Sequence, residues 1–175
     1  MSKFKQVYRF LLGYLKGWDY VAKISGVTLG ENCRVYIRDF GTEPFLISIG
    51  NNVTITSGVR FLTHDGATSL IKNDEGSRYQ LYGGIQVQDD VFIGVNSIIM
   101  PGVKIGRNTI IGAGSVVTRD IEGNGVYAGS PAKLVRTFDE YREKITRNCA
   151  NNEELIDISC YQERVQRALD IQSSK

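Results

Sequence analysis

The chain has 175 residues, 42% of them hydrophobic, which is enough for one core-bearing domain with appendages. Twenty-one lysines and arginines stand against nineteen aspartates and glutamates, and the net charge of +2 gives no reason to expect a nucleic-acid or membrane-surface binder, a local basic patch aside. A single histidine and three cysteines without metal-type spacing, Cys33, Cys149 and Cys160, exclude a conventional zinc site and predict reduced structural thiols.

The first segment places Phe4, Val7, Tyr8, Leu11, Leu12 and Leu15 at three- and four-residue spacing among lysines and an arginine. This predicts an amphipathic helix within residues 1–20 that caps an open end of the fold, with reversible membrane contact as the alternative. Basic residues interrupt the stripe, so no secretory h-region or membrane span is read there, and a cytoplasmic protein is expected. Asn52-Val53-Thr54 matches a glycosylation sequon but lies inside a repeat, where chance explains it better.

Six-residue spacing begins faintly with Leu29-Gly30 and Val35, breaks over 38–44 around Gly41 and Pro44, and resumes at Ile49-Gly50, Ile55 and Phe61. It runs into Thr63-His64-Asp65-Gly66 and stops. Residues 65–84 are polar, contain Gly66, Gly76, Gly83 and Gly84, and show no period, which predicts a long loop projecting beside His64. The comb then restarts as Val87, Ile93, Ile99, Ile105, Ile111 and Val117, with a second comb two residues earlier at Ile85, Val91, Ser97, Val103, Thr109, Ser115 and Ile121. A period of six fits a chain that turns three corners per coil and points one small side chain per wall into a narrow core. Glycine follows the inward residue at Gly94, Gly106 and Gly112, where a corner needs positive φ or close backbone approach. Past residue 131 the spacing changes to four, with Tyr141, Ile145 and Cys149 and then Tyr161, Val165, Ala168 and Leu169, predicting a helical tail. The expected division is a helical cap over 1–20, a repeat body over 21–130 with the loop 65–84 inserted, and a largely helical extension over 131–175.

His64 ends a coil where a polar loop leaves a rigid scaffold, a favourable position for a catalytic side chain. A neutral imidazole there suits general-base chemistry, taking a proton from an attacking hydroxyl or amine. Asp65 is one candidate to orient the ring, and a backbone carbonyl is the other. No nucleophile elbow, phosphate loop or complete dinucleotide fingerprint competes. The small residues Gly112-Ala113-Gly114-Ser115 suggest a groove, and Arg119, Lys133 and Arg136 follow it as phosphate ligands or as solvated surface.

These blocks together, Val91-Phe92-Ile93-Gly94, Pro101-Gly102-Val103-Lys104-Ile105-Gly106, the run from Ile111 through Asp120, and Ala128-Gly129-Ser130-Pro131-Ala132-Lys133, resemble the hexapeptide-repeat acyltransferases. The likeness is to the acetyl-CoA-dependent branch of maltose, galactoside, xenobiotic, O-antigen and capsule acetyltransferases. That resemblance implies a mainly β protein folded as a left-handed parallel β-helix, an exception to the usual right-handed crossover. It also implies a homotrimer with sites between subunits, and His64 as catalytic base. Family contacts to acetyl-CoA would fall on Phe92 as an apolar wall, on Gly94 and Val95, on Gly112 and Ala113, and on Thr118. The cations Arg119, Lys133 and Arg136 would face the phosphates. Phe92 stands where many sugar acetyltransferases have tryptophan, and the acceptor-holding asparagine of galactoside-type enzymes has no clear match, a gap-free count reaching Tyr36.

The expected function is transfer of acetyl from acetyl-CoA to a hydroxyl of a sugar-type acceptor, in surface-polysaccharide synthesis, without metal or nucleic acid. N-acetylation of an amino sugar or its nucleotide is the enzymatic rival, and an inert trimeric scaffold is the rival from outside enzymology.

Overall fold

Both six-residue combs point inward, and that single fact builds the molecule. A computed structural model describes residues 3–174, with side chains from residue 7 onward; Phe4 of the expected stripe therefore lies outside the described side chains. Thirteen short strands follow in order: β1 (Thr28–Leu29), β2 (Arg34–Val35), β3 (Ile47–Ile49), β4 (Thr54–Ile55), β5 (Arg60–Phe61), β6 (Ile85–Val87), β7 (Val91–Ile93), β8 (Ile98–Ile99), β9 (Lys104–Ile105), β10 (Thr109–Ile111), β11 (Val116–Val117), β12 (Gly125–Ala128) and β13 (Lys133–Thr137). They stack as three walls, β1-β3-β6-β9, β2-β4-β7-β10-β12-β13 and β5-β8-β11, parallel throughout except for the last pair. The three central coils, β3-β4-β5, β6-β7-β8 and β9-β10-β11, visit the three walls in turn, so the architecture is a parallel β-helix.

The core is a column of small aliphatic residues. Ile55, Ile85, Ile93, Ile99, Ile105 and Ile111 are fully buried, and Ser97, Thr109 and Ser115 from the second comb are buried with them. The buried hydroxyls are each satisfied by a backbone carbonyl: Thr109 donates to Gly106 at 2.6 Å, and Ser97 and Ser115 both donate to Gly112, at 3.0 and 2.6 Å. Hydroxyls thus fit a dry column without an orphaned donor.

The two roles expected of corner glycines divide between different residues. Gly94, Gly106 and Gly112 serve close approach: a Cβ on Gly94 would lie 2.5 Å from the Ala113 nitrogen, and one on Gly106 would collide with the Glu122 carbonyl. Positive φ falls instead on Asn32, Asn52, Asp90, Asn108 and Asn124, one per coil at the corner between first and second walls, and on Gly58, Asn96, Gly102 and Gly114 at the other corners. Asparagine and aspartate tolerate this region better than other side-chain-bearing residues. Their side chains also link coils, Asn52 to Asp90 at 2.6 Å and Asn108 to Asn124 at 3.1 Å.

The amino-terminal segment is two helices, α1 (Lys3–Lys16) and α2 (Trp18–Ser25), separated at Gly17 with φ 91°. The second helix covers the end of the coil: Val21 and Ala22 are buried and Trp18 packs on the core, whereas Val7, Leu11 and Leu15 in α1 are exposed. The capping role expected of the first stripe therefore belongs to the segment after it. Carboxy-terminal to β13, Thr137 and Glu140 form a capping box that starts α3 (Phe138–Asn148), and α4 (Tyr161–Ser173) follows. Among the described residues no helix is long and apolar enough to cross a membrane.

Candidate active site

The insertion that ends the fourth-to-fifth strand rhythm positions the site. Partners across β8 and β11 are 18 residues apart, but partners across β5 and β8 are 38 apart, the difference being an arm that leaves after Phe61. The arm is better ordered than a loop. His64 bridges Tyr82 in antiparallel sense, with Asp65 N–H donating to Leu81 and Gly83 N–H to Thr63, at 3.0 and 2.9 Å. Gly83 then packs against the Pro101–Gly102 backbone so closely that a Cβ would collide.

His64 stands at the base of this arm. It lines a cavity of about 380 Å3 with Leu62, Asp65, Leu81, Met100, Pro101 and Thr118, and the Tyr82 ring meets it edge-on at 6.2 Å. Its Nδ1 lies 2.9 Å from a Glu43 carboxylate oxygen. That carboxylate also accepts from the Thr63 hydroxyl at 2.6 Å and from the Thr42 hydroxyl at 2.7 Å. These bonds favour its ionised form: the hydrogen bond from Thr63, then those from Thr42 and His64, pull Glu43 down from 4.5 to about 2. An ionised carboxylate only accepts, so Nδ1 of His64 carries the proton and Nε2 keeps its lone pair when the ring is neutral.

The orienting group is therefore Glu43 and neither of the two expected candidates. The Asp65 carboxylate is engaged elsewhere, accepting from Ala67 N–H at 2.9 Å and capping the short 3-10 helix Gly66–Leu70. Adjacent residues on an extended backbone point to opposite sides, which directs Asp65 away from the face that His64 shares with Glu43.

The other site residues expected from sequence fall into separate groups. Gly94, Val95, Gly112 and Ala113 stack at the corner between second and third walls, where Gly114 N–H donates to the Val95 carbonyl at 2.7 Å. Thr118 joins His64 around one cavity, while Arg119 and Lys133 share a neighbouring cavity of about 280 Å3 with Asp120, Tyr127 and Ala132. Arg136 is elsewhere, facing the start of α3, where its charge helps hold the Glu140 carboxyl low after the hydrogen bonds from Thr137. Phe92 is on the outer face of the second wall and lines a third cavity with Thr54, Ile110, Phe138 and Tyr141, apart from His64. Tyr36, the position reached by counting back from His64, borders a fourth cavity with Arg38, Asp39, Ser57 and Arg60.

A three-walled parallel coil with a long arm beside a carboxylate-held histidine defines a hexapeptide-repeat protein with a candidate site at its arm. The family described as bacterial transferase hexapeptide (six repeats) matches residues 84–119. Protein CapG of Staphylococcus aureus is 44% identical over 133 residues, which cover 74% of this chain and 76% of that protein. Galactoside O-acetyltransferase of Escherichia coli K12 is 34% identical over 66% of this chain and 56% of its own length. Among solved structures, a galactoside acetyltransferase in complex with coenzyme A superposes with a TM-score of 0.52 at 26% identity, covering 82% of this chain and 86% of that one. The chain belongs to the hexapeptide-repeat transferase family.

Proposed function

We propose that the chain is an acyltransferase that moves acetyl from acetyl-CoA to a sugar hydroxyl, with His64 as general base. The observation that carries this reading is the grip of Glu43 on His64 Nδ1 at the mouth of the arm cavity. It sets the tautomer that chemistry of this kind needs. Nε2 takes the proton of the acceptor hydroxyl as its oxygen attacks the thioester carbonyl. The tetrahedral intermediate collapses by breaking the C–S bond, and the imidazolium returns its proton to the departing sulfur. No acyl-enzyme is formed.

Support for acetyl-CoA as donor comes from the galactoside acetyltransferase bound to coenzyme A and from the chain's own cations. Arg119 and Lys133 line one cavity, and Thr118, which precedes Arg119 in the chain, lines that of His64, an arrangement that suits a phosphate-bearing arm laid along the coil. Gly94, Val95, Gly112, Ala113 and Phe92 are retained as donor contacts in this proposal, Arg136 as a lesser one. Phe92 and His64 border separate cavities in one chain, so their joint use requires a second subunit; we therefore include the homotrimer with sites between subunits, and the left-handed winding, in the proposal. The kinship with galactoside O-acetyltransferase favours a sugar as acceptor, and a sugar of a surface polysaccharide is the acceptor we include in the proposal. The body is read as one solenoid over 21–130 with the arm inserted at 65–84 and helical appendages over 1–20 and 131–175, working in the cytoplasm.

A thiol-release assay with acetyl-CoA across sugars, amino sugars and nucleotide sugars tests the reading. Release with a hydroxyl acceptor supports it. Release only with amino sugars moves the activity to N-acetylation, and calorimetry showing no acetyl-CoA binding would leave an inert scaffold.

A further inference from the structure

Helix α1 turns its apolar arc away from the rest of the chain. At roughly 100° per residue, Val7, Leu11, Leu15 and Tyr8 fall on one side of the helix with Tyr14 at its margin. All five are more than half exposed, from 54% at Leu11 to 81% at Leu15. The side facing α2 is the poorer one, with Gly13 buried beneath the Trp18 ring and Leu12 half-buried. The orientation is fixed from below, because the Arg38 guanidinium sits 5.1 Å from the Phe10 ring and 5.2 Å from that of Trp18. An arc of this kind left in water forfeits the stabilisation that burial would give.

The charge of the chain is segregated toward the same end. Residues 1–26 carry five cations, Lys3, Lys5, Arg9, Lys16 and Lys23, and one anion, Asp19, whereas residues 27–175 carry sixteen cations and eighteen anions. The whole positive excess thus lies in the helical end. The sequence of α1 itself contains no acidic residue.

We propose that α1 is an interfacial helix that lays its apolar arc into an anionic lipid bilayer, with its cations attracted to the headgroups. Apolar side chains entering the headgroup boundary and cations held near a negative surface are the two contributions such a helix combines. A second copy of the chain is the poorer occupant: its α1 brings the same cations, and its remainder offers only a slight and dispersed negative excess. The inference rests on α1 alone and holds whether or not the acetyl-transfer reading does.

The test is co-sedimentation of the full chain with vesicles of phosphatidylcholine and of phosphatidylcholine mixed with phosphatidylglycerol. Binding to the mixed vesicles is expected, weakening with salt. The double variant Leu11→Asp/Leu15→Asp should reduce it about tenfold or more, the scale of losing one leucine transfer, while the unfolding temperature stays unchanged. Failure of the wild type to sediment with anionic vesicles overturns the proposal, as does equal sedimentation of the variant. A variant that instead lowers the molar mass by light scattering, with no vesicle binding by either protein, assigns the face to a second copy and equally overturns it.

Discussion

After β8 the chain returns to the first wall through residues 100–102, and after β11 through 118–120; after β5 the same corner opens into the arm and bears His64. The two closed corners are held by backbone and one aspartate, with Gly102 at φ 83° and the Asp120 carboxylate accepting from Lys104 N–H at 2.8 Å. The open corner adds to its backbone bonds a cluster of side chains, Glu43 with Thr42, Thr63 and His64. Where the coil repeats, backbone hydrogen bonds run mainly to neighbouring coils and inward side chains need only be small. Where it breaks, a carboxylate one coil upstream must do the organising, and its bonds leave one imidazole nitrogen free to act.

Replacing the centre of the open corner should have the largest effect. His64→Ala should lower turnover by about 10²–10⁴-fold, the range for a lost general base, with the unfolding temperature little changed because the side chain is 46% exposed. Full activity in that variant would remove His64 from the chemistry. The closed coils break in the opposite sense: Ile105→Ala, at a fully buried position, should cost about 2–5 kcal/mol in urea unfolding. Of intermediate size, Arg119→Ala or Lys133→Ala should each raise the KM for acetyl-CoA about tenfold, as for loss of one hydrogen bond to a charged group, and Arg136→Ala should raise it less. A KM unmoved by either of the first two would detach their shared cavity from the donor.

Glu43→Gln sharpens the comparison through pH. The carboxyl is lower in the folded chain, about 2 against 4.5, so its contribution to stability is complete above pH 4.5 and drains away as pH falls toward 2. The difference in unfolding temperature between wild type and Glu43→Gln should therefore be constant above pH 4.5 and shrink below it; a constant difference across that window would show that the carboxylate network is not what stabilises the corner. The smallest effect belongs to a site with no part in catalysis, Thr137→Ala, which removes the cap of α3 at about 1 kcal/mol by chemical denaturation.

The sequence was readable where coils repeat at constant length. The constant interval of the first comb marked it as interior, one side chain per wall; the second comb, including Ser97, Thr109 and Ser115, faces inward as well, so each wall contributes two. The asparagine and aspartate ladder escaped notice because its members, Asn32, Asn52, Asp90, Asn108 and Asn124, lie at unequal intervals that follow the extra residues of the first coil, the arm and the shorter final coil. Glu43 escaped for a related reason. It occupies the break over 38–44, 21 residues before His64, and only the stacking of coils makes that separation a contact. A carboxylate in such a break, one coil ahead of a lone histidine, is the signal that could have found it. At the amino terminus the stripe in α1 was visible but its direction was not, since the burial of Trp18, Val21 and Ala22 decides which helix shields the coil.

The final strand reverses. β13 runs antiparallel to β12, pairing Lys133 with Ala128 and Thr137 with Gly125. A stack of parallel rungs has no length of its own and would accept another rung from any neighbour, as an open filament end does. By folding back on its last rung the chain supplies its own terminator, so that the same geometry that elsewhere propagates without limit here yields a body of fixed length.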